Sequence, residues 1–289
     1  MKERFLMCAP QHFEVAYVIN PWMEGNVARG SNPAATAQWK ALLALLRRFA
    51  DVECISAEPG VPDLVFTANA GLVLGRQVLL SAFRHAERRP EEAYFSRWFS
   101  THGFKVLTLP EGVYFEGAGD ALFDRRLPLL WMGHGHRTDE AAAAIIAELF
   151  DIDVVPLQLV NPHFYHLDTC LCPLDGGALL YYPDAFDRPS RERIAALVPR
   201  ELRIAVNACD AAAFACNAVN SGRHVVMNRV SAALAGTLAD HGYQLRQTPL
   251  SEFMKAGGSA KCLTLKLSEA RLPVAADALP GAGESEFTL

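Results

Sequence analysis

The sequence predicts an α/β repeat protein in which five units of about 50 residues surround a common axis. Polar residues recur along its 289 residues at nearly equal intervals, and each lies in or just after an apolar run of strand character. The flanking pattern recurs together with the spacing, which favours a structural repeat over chance placement of polar groups at strand ends. Equivalent positions of such a repeat would converge on its axis. The five recurring residues are Asn20, Asn69, Glu116, His166 and Asn217.

A sixth segment, GGSAKC, differs from the repeated pattern and ends in Cys262. The axis would then gather a carboxylate, an imidazole and a thiol. These groups serve as a general base or charge stabiliser, a general acid or base, and a nucleophile. Considered alone, Cys262 could equally be a small buried apolar residue, which is the usual role of a cysteine.

Each repeat reads as strand, strand, helix, strand. In the first repeat, VAYVIN precedes a helix over 33–50 and the strand VECISA, with Asn32 as the expected N-cap and Pro33 at the first helical position. In the second repeat, LVFTANAGLVLG and QVLLSAF form a hairpin-like pair before a helix over 90–102 and the strand FKVLTL.

The third repeat runs VYFEGAGDALF, LPLLWMG, a helix over 138–150 and IDVVPLQL. Thr138 is its expected cap, because acidic residues follow in the first turn. The fourth repeat runs FYHLDTCLCPL, GALLYYP, a helix over 190–198 and LRIAVN. The fifth repeat runs CNAVNSG, HVVMN, a helix over 231–241 and YQLRQTPL.

The last strand, KCLTLKL, is predicted to pair with the first repeat and to close the array into a ring, which removes exposed sheet edges. We therefore expect residues 1–289 to form one domain. The segment 271–289 is rich in Pro, Gly and Ala and is expected to be an irregular tail. Glycines in EGAGD and KAGGSAKC indicate a crowded centre where backbone must approach a ligand closely.

Composition narrows the class of protein. With 51% hydrophobic and 20% charged residues, the chain can bury a large core. A net charge of -5 without a basic block argues against a nucleic-acid partner, and no apolar stretch is long enough to span a membrane. No apolar stretch of signal-peptide length begins the sequence. The seven cysteines include no CxxC pair and therefore indicate neither a disulfide framework nor a zinc ribbon. They predict that the protein is located in a reducing cytoplasm.

The motifs FTAN, FEGAGD, GHGHRT, HLDT and GGSAKC together resemble the guanidino-group-modifying superfamily. This group contains arginine deiminases, dimethylarginine dimethylaminohydrolases, amidinotransferases and arginine dihydrolases. The resemblance covers about residues 7–267, and the opening MCAPQHFEVAYVINPWMEGN most resembles the deiminase-like domain of arginine dihydrolases. It implies a five-bladed α/β propeller of ββαβ units. Those dihydrolases carry a large C-terminal region, so this chain would correspond to the hydrolase part.

The chemistry of a guanidinium group supports the same interpretation. The group is planar, cationic and resonance-stabilised, so attack on its carbon requires a thiolate, carboxylates that hold the cation, and an acid that expels ammonia. Cys262 is the candidate nucleophile, and the bound cation or His166 would lower its pKa. His166 would protonate the leaving amine and then activate water. Glu116 and Asp168 would accept N–H bonds from the substrate.

Several neighbouring residues compete for these roles. The HxD spacing predicts that His166 and Asp168 share one face of a strand, which leaves His163 on the other face as a structural residue. By resemblance, Glu116 rather than Asp120 is the carboxylate that contacts the substrate, and Asp120 is expected to support a turn or the substrate-contacting groups.

The thiols of Cys170 and Cys172 are interpreted as structural. His134 and His136 in GHGH have no third ligand nearby, so we assign no metal and no cofactor.

The α-carboxylate of an amino-acid substrate also needs a partner. By resemblance, Arg137 in GHGHRT matches an arginine that binds this group. Arg88 in FRHAERR is the second candidate, with Arg84 and Arg89 close enough in sequence to leave the choice open. An exposed loop charge is the alternative interpretation of Arg88.

Position 69 departs from most of the superfamily, because deiminases and dimethylaminohydrolases typically carry Asp where this sequence has Asn69. An amide both donates and accepts hydrogen bonds, so Asn69 could retain neutral citrulline for a second hydrolysis. Arginine dihydrolases share this Asn and the NPWM-type opening with Asn20. The resemblance thus predicts conversion of arginine to ornithine, ammonia and carbon dioxide.

Two other functions stay open. One is a single-step hydrolase of arginine or methylated arginine. The other is a non-enzymatic binding propeller, like the ribosome anti-association translation factor, which would not account for the Cys–His–Glu set. The oligomeric state is not determined by these patterns.

Overall fold

Five three-stranded sheets follow one another in the computed structural model, which describes residues 2–270. In four of them the strands follow the chain order, and in the first sheet the last strand of the described residues joins the first two. The strands are β1 (Glu3–Cys8), β2 (Ala50–Ile55), β3 (Gly71–Leu74), β4 (Gln77–Leu80), β5 (Lys105–Leu107), β6 (Ala121–Phe123), β7 (Leu129–His134), β8 (Asp153–Gln158), β9 (Leu171–Pro173), β10 (Leu179–Tyr181), β11 (Arg203–Ala205), β12 (Val219–Ser221), β13 (His224–Met227), β14 (Gln244–Gln247) and β15 (Leu265–Lys266).

Each sheet combines an antiparallel pair with a parallel pair, and a helix connects the two parallel strands. A parallel pair requires such a crossover, because its strands start at the same edge. The architecture is the predicted five-bladed α/β propeller of ββαβ units. The helices are α1 (Asn32–Leu46), α2 (Glu91–Thr101), α3 (Ala142–Phe150), α4 (Arg188–Leu197), α5 (Ala208–Ala212), α6 (Ala232–Asp240) and α7 (Ser251–Met254).

The ring closes between the two ends of the described chain. Strand β15 pairs antiparallel with β1, with Phe5 opposite Lys266 and Leu6 opposite Leu265. The N–H of Leu267 also donates to the carbonyl of Arg4 at 2.7 Å. The predicted closure through KCLTLKL is confirmed, although only two residues of that run form a strand. Cys262 precedes the strand and is thereby fixed close to the first blade.

The first predicted strand, VAYVIN over 15–20, is wrong. The earlier segment Glu3–Cys8 pairs with both β2 and β15, and residues 15–20 form a loop that leads to α1. The other recurring polar residues do not lie in strands either. Asn69, Glu116 and His166 lie in or beside short 3-10 turns that precede the first strand of a blade, namely Thr67–Ala70, Gly117–Gly119 and Leu167–Thr169. Asn217 lies in a bend shortly before β12. These turns keep the polar groups at the end of each strand.

Two predicted helix caps also differ. Ser31, not Asn32, caps α1, because the Ser31 side chain accepts from the N–H of Ala34. Helix α3 begins at Ala142, so Thr138 caps nothing. The Thr138 hydroxyl instead accepts from the N–H of Glu116 and donates to the carboxylate of Asp120.

Apolar packing between neighbouring blades holds the turns in place. Trp39, Leu42 and Leu46 recur at helical spacing on α1 and form one buried cluster with Val219 and Val226 of the fifth blade. Within residues 2–270, no helix is both long and apolar enough to cross a membrane. The segment 271–289, predicted to be an irregular tail, lies outside the described residues.

Candidate active site

The recurring polar residues are all buried and lie near one another at the ring axis. The Asn69 amide nitrogen donates to the carbonyl of Glu116 at 2.9 Å, and His166 Nε2 lies 2.7 Å from Glu116 Oε2. The Asn217 amide nitrogen donates to the carbonyl of Asp168 at 3.0 Å. Each contact joins two neighbouring blades, so the convergence expected from the repeat is present.

Cys262 lies in the turn that follows α7 and is 3% exposed. Its sulfur is 3.4 and 3.7 Å from the two carboxylate oxygens of Asp168, and the Asn217 amide nitrogen is 3.0 Å away. Burial raises the pKa of the Cys262 thiol, and the Asp168 carboxylate raises it further. The site without ligand therefore favours the neutral thiol, and a bound cation would reverse that preference.

Asp168 is the acidic partner of this thiol. Burial raises its pKa from 3.8 to about 6, while Lys261, Cys262 and Asn217 act in the opposite direction. The HxD argument for a shared strand face is wrong, since Asp168 lies in a 3-10 turn directly after His166. Both side chains are nevertheless buried. His163 is exposed, and its carbonyl accepts from Trp22 Nε1, which agrees with a structural role.

Glu116 is fully buried and is held by three groups. Its Oε2 accepts from Arg137 at 2.9 Å and contacts His166 Nε2, and its Oε1 accepts from the Arg84 N–H at 3.3 Å. Burial opposes ionisation, but the Arg137 guanidinium and the His166 contact hold the pKa of Glu116 below its usual range. Burial lowers the pKa of His166 from 6.5 to about 4. A neutral His166 that donates from Nε2 to an ionised Glu116 satisfies both groups.

Asp120 supports the position of the Glu116–His166 pair. Its Oδ1 accepts from the N–H of Leu167, and its Oδ2 accepts from the Thr138 hydroxyl at 2.7 Å. The Thr138 hydroxyl in turn accepts from the N–H of Glu116 at 3.1 Å. Asp120 therefore links the backbone of Glu116 to the turn that carries His166, which agrees with the supporting role expected from the sequence.

Arg88 is buried, so the alternative interpretation of this residue as an exposed loop charge is wrong. Its guanidinium donates twice to Glu91 at 2.8 Å and once to the side-chain amide oxygen Oδ1 of Asn69 at 2.9 Å. Burial raises the pKa of Glu91 to about 7, although Arg88 favours its ionised form. Arg84 pairs with Asp139 outside the cleft, and Arg89 is exposed. Arg88 is the member of this group that reaches the site.

Arg137 and Asn20 lie on the loop side of the site. Arg137 donates to the carbonyl of Ile19 at 2.9 Å and packs over the Tyr165 ring at 4.6 Å. The Asn20 amide nitrogen donates to the carbonyl of Ala256 at 3.1 Å, while its oxygen accepts from the N–H of Trp22. The long loop before α1 is thus tied to the segment that leads to Cys262.

A cleft with about 250 Å³ of empty space joins these groups. Three of the predicted site residues do not line the cleft but lie directly behind it. Glu116 is hydrogen-bonded to Arg137 and Asp168 to Cys262, and His166 follows Tyr165 in the chain. A larger cavity of about 600 Å³ contains none of the predicted site residues and is mostly apolar. The cleft is lined by Ile19, Asn20, Met23, Asp63, Phe66, Asn69, Arg88, Arg137, Tyr165, Ala256, Gly258 and Cys262.

Two further buried carboxylates at the site, Asp63 and Glu91, were not predicted from the sequence. Asp63 is 2% exposed and lines the cleft; one of its oxygens accepts from the Tyr17 hydroxyl, and the other has no hydrogen-bond partner within residues 2–270. Glu91 is the first residue of α2 and follows Arg88 by three positions. That spacing is the one signal in the sequence for a buried pair.

Comparisons with known proteins agree with this geometry. A family model described as eukaryotic N,N dimethylarginine dimethylhydrolase matches residues 24–269. The dimethylarginine dimethylaminohydrolase of Mycobacterium tuberculosis is 39% identical over 265 residues, covering 91% of this chain and 85% of that protein.

The bifunctional arginine dihydrolase/ornithine cyclodeaminase ArgZ of Synechocystis is 53% identical over 270 residues. The match covers 93% of this chain but 38% of ArgZ, so the chain spans well under half of that relative. In one crystal structure, a variant of the N-terminal domain of ArgZ is covalently bound to a reaction intermediate. That domain has a TM-score of 0.93 and 52% identity to this chain, and the match covers 94% of this chain and all of that one.

The crowding around the axis predicts a specific stability difference between two glycine variants. A Cβ at Gly119 would overlap the Asn69 amide nitrogen and would lie 3.4 Å from His166 Nδ1. Gly119→Ala is expected to lower the free energy of unfolding by about 1–3 kcal/mol through overpacking. Gly236→Ala, in α6 with open space around it, should raise stability by up to about 1 kcal/mol. Chemical denaturation measures both; equal stability of Gly119→Ala and wild type would contradict the crowding.

Proposed function

The chain belongs to the N,N dimethylarginine dimethylhydrolase family, and on this premise we propose that it is a cysteine-dependent hydrolase that converts arginine to ornithine, ammonia and carbon dioxide. The observation that carries the proposal is the Cys262 sulfur, buried 3.4 Å from the Asp168 carboxylate beside a cleft that also exposes the Asn69 amide. A thiol, a carboxylate and an amide at one cleft suit a cation that becomes a neutral urea during the reaction.

We assign the residues that bind the substrate by matching their charges to the charged groups of arginine. Glu116 and Asp168 are the carboxylates nearest the thiol and imidazole, and they would accept N–H bonds from the guanidinium. Arg88 and Arg137 both line the cleft and would bind the α-carboxylate. The free oxygen of Asp63 is suited to the α-ammonium group. Asn20 would hold the loop above the substrate through its bonds to Trp22 and Ala256.

The first half of the reaction forms a covalent intermediate. The bound guanidinium offsets the effect of burial and of Asp168, so Cys262 ionises and its proton passes to His166. The thiolate attacks the guanidinium carbon, and the C–N bond to the leaving group breaks as His166 returns the proton, so ammonia departs. Glu116 stabilises the transient imidazolium. Hydrolysis of the resulting thiouronium by a water that His166 activates yields citrulline and the free thiol.

The second half repeats these steps on the neutral urea. Attack of Cys262 on the ureido carbon expels a second ammonia and leaves a thiocarbamate. Water then releases the N-carboxylate of ornithine, which loses carbon dioxide. We assign to Asn69 the role of holding citrulline in the site between the two hydrolytic steps, because an amide can donate to the urea oxygen and a carboxylate cannot.

A single-step deiminase or dimethylaminohydrolase is the second candidate. The family model and the mycobacterial relative favour it, since both are named for dimethylarginine hydrolysis. Asn69 and the higher identity to ArgZ favour the two-step reaction. We further propose that 1–289 is one catalytic domain that requires a small guanidino substrate and no metal or cofactor. A cytoplasmic location fits its seven unpaired cysteines.

Cys262→Ser tests the covalent mechanism. A hydroxyl is far less nucleophilic than a thiolate at neutral pH, so arginine turnover is expected to fall below detection in a folded protein. Mass spectrometry of the wild-type enzyme quenched during turnover should show an adduct on Cys262. Cys209→Ser, which changes an exposed thiol, is the matched control and should retain activity. Retained turnover in folded Cys262→Ser would reject the mechanism.

Asn69→Asp tests the second hydrolysis. Wild type should release ornithine and ammonia from arginine with little citrulline. The carboxylate favours the cationic guanidinium over the neutral urea by about 1.5–3 kcal/mol, so the ratio of citrulline to ornithine should rise about tenfold or more. Product analysis by chromatography measures this ratio. Citrulline as the sole wild-type product would select the deiminase, and inertness toward arginine with turnover of a methylated arginine would select the dimethylaminohydrolase.

The pH dependence of kcat/KM tests Asp168 as the guanidinium acceptor. The raised pKa means that Asp168 loses its charge as pH falls through about 6, so kcat/KM should decline about tenfold per unit below that value. Lys261→Met removes a cation that lowers the Asp168 pKa and should move this limb to higher pH. A profile that stays flat well below pH 6 would contradict the assignment.

A further inference from the structure

Asn217 is the recurring polar residue that the reaction described above does not use. It is fully buried, does not line the cleft, and lies in a turn between α5 and β12. Its side chain is nevertheless one of two that hydrogen-bond to the Cys262 sulfur within residues 2–270, the other being Asp168.

Every hydrogen-bonding capacity of the Asn217 amide is used near the thiol. Its oxygen accepts from the N–H groups of Lys261 at 3.0 Å and Cys262 at 3.1 Å. Its nitrogen donates to the Cys262 sulfur and to the carbonyl of Asp168, both at 3.0 Å. One amide can make four such bonds, so Asn217 is saturated. It connects the backbone and sulfur of Cys262 to the backbone of its acidic partner.

The backbone around Asn217 is held in an unusual conformation. Phe214 has a φ of 61°, a left-handed value that is strained for an aromatic residue. Its ring packs on Trp22 at 4.7 Å, and its carbonyl accepts from the N–H of Asn217. The strained turn is thus fixed from both sides, and it directs the amide toward Cys262.

The two hydrogen-bonding neighbours of the sulfur have opposite effects. Asp168 presents a negative oxygen, which favours the neutral thiol. The Asn217 N–H is a donor, and a donor interacts more strongly with a thiolate than with a thiol. Asn217 is neutral and is present before substrate arrives, so its effect does not depend on the guanidinium.

We propose that Asn217 is a positioning residue for Cys262, which aims the sulfur at the substrate carbon and stabilises its thiolate through the N–H···S hydrogen bond. The proposal rests on the assignment of Cys262 as the nucleophile. The alternative is that Asn217 only ties two blades together, as the Asn69 amide also does through the Glu116 carbonyl.

Asn217→Asp tests the N–H···S hydrogen bond. A carboxylate of the same shape still accepts from the N–H groups of Lys261 and Cys262, but it loses both donor bonds, to the Cys262 sulfur and to the Asp168 carbonyl. It also adds a negative charge beside the sulfur. Loss of the blade connection alone should lower stability without moving the pH profile of Cys262 alkylation. Asn217→Ala, which removes both functions, is the second variant in case the first does not fold.

The decisive measurement is the rate of iodoacetamide alkylation of Cys262 without substrate, followed at several pH values by peptide-resolved mass spectrometry. Peptide resolution is needed because Cys54 and Cys209 are exposed. Alkylation at neutral pH is expected to be at least about tenfold slower in both variants, with the rate profile displaced to higher pH. In turnover, kcat should fall similarly while KM stays within about threefold of wild type.

Asn228→Ala is the matched control. Asn228 is also buried, its amide nitrogen donates to the Ala213 carbonyl and lies 3.1 Å from the Met254 sulfur, and its oxygen accepts from the Leu250 N–H. Removal of this amide should cost stability without moving the alkylation profile of Cys262.

The outcomes separate the inference from the proposed function. Unchanged alkylation in folded Asn217→Asp and Asn217→Ala would overturn the inference and leave Asn217 as a connection between blades. An equal displacement of the Cys262 alkylation profile by Asn228→Ala would overturn it too, because loss of contacts in any blade would then be enough to change the reactivity of Cys262. A specific displacement together with inertness toward arginine would support the role of Asn217 and reject the proposed substrate, because alkylation needs no substrate.

Discussion

The burial of Glu116 is the constraint on which the rest of the site depends. A carboxylate without access to water must be paired or lose its charge. Arg137 and His166 supply the pairing, and the N–H of Arg84 contacts the remaining oxygen. These partners come from separate turns, so the ion cluster can form only when neighbouring blades close around it. The ring thereby makes a charged site that no single blade could hold.

Asparagine amides perform much of this connection. Each of the three recurring asparagines donates to a backbone carbonyl from a distant part of the chain: Asn20 to Ala256, Asn69 to Glu116 and Asn217 to Asp168. The other hydrogen bonds of these amides differ. Asn69 accepts from Arg88, and Asn217 contacts Cys262. The same amide-to-carbonyl bond therefore leaves one asparagine in contact with an arginine and another in contact with a thiol. This is possible because an amide combines a donor and an acceptor in a neutral group that is tolerated in the interior.

The site balances two opposed demands on the thiol. Burial and the Asp168 carboxylate keep Cys262 protonated in the empty cleft, whereas a bound cation and the Asn217 donor favour the thiolate. In the proposed reaction, this arrangement would couple ionisation of the Cys262 thiol to substrate binding. Buried carboxylates also make the empty site costly, and the two arginines at the cleft offset part of this cost, because Arg88 pairs with Glu91 and Arg137 pairs with Glu116.

The sequence by itself predicted the repeat, the ring closure through KCLTLKL and, in four of the five blades, the strand–strand–helix–strand order, and the structure confirms these predictions. Motifs that resemble a known superfamily selected Cys262, His166, Glu116 and Asp168, and their catalytic roles stay a proposal. Hydrophobic periodicity and motif spacing are local properties, so they can be read before folding. The sequence did not reveal that Glu116 and His166 lie beside 3-10 turns, that Thr138 binds Asp120 instead of capping α3, or that Asn217 reaches Cys262. Those contacts join residues far apart in the chain, and a hydrogen-bond partner is chosen only when packing has brought the candidates together. Tertiary structure alone decided which polar groups satisfy one another.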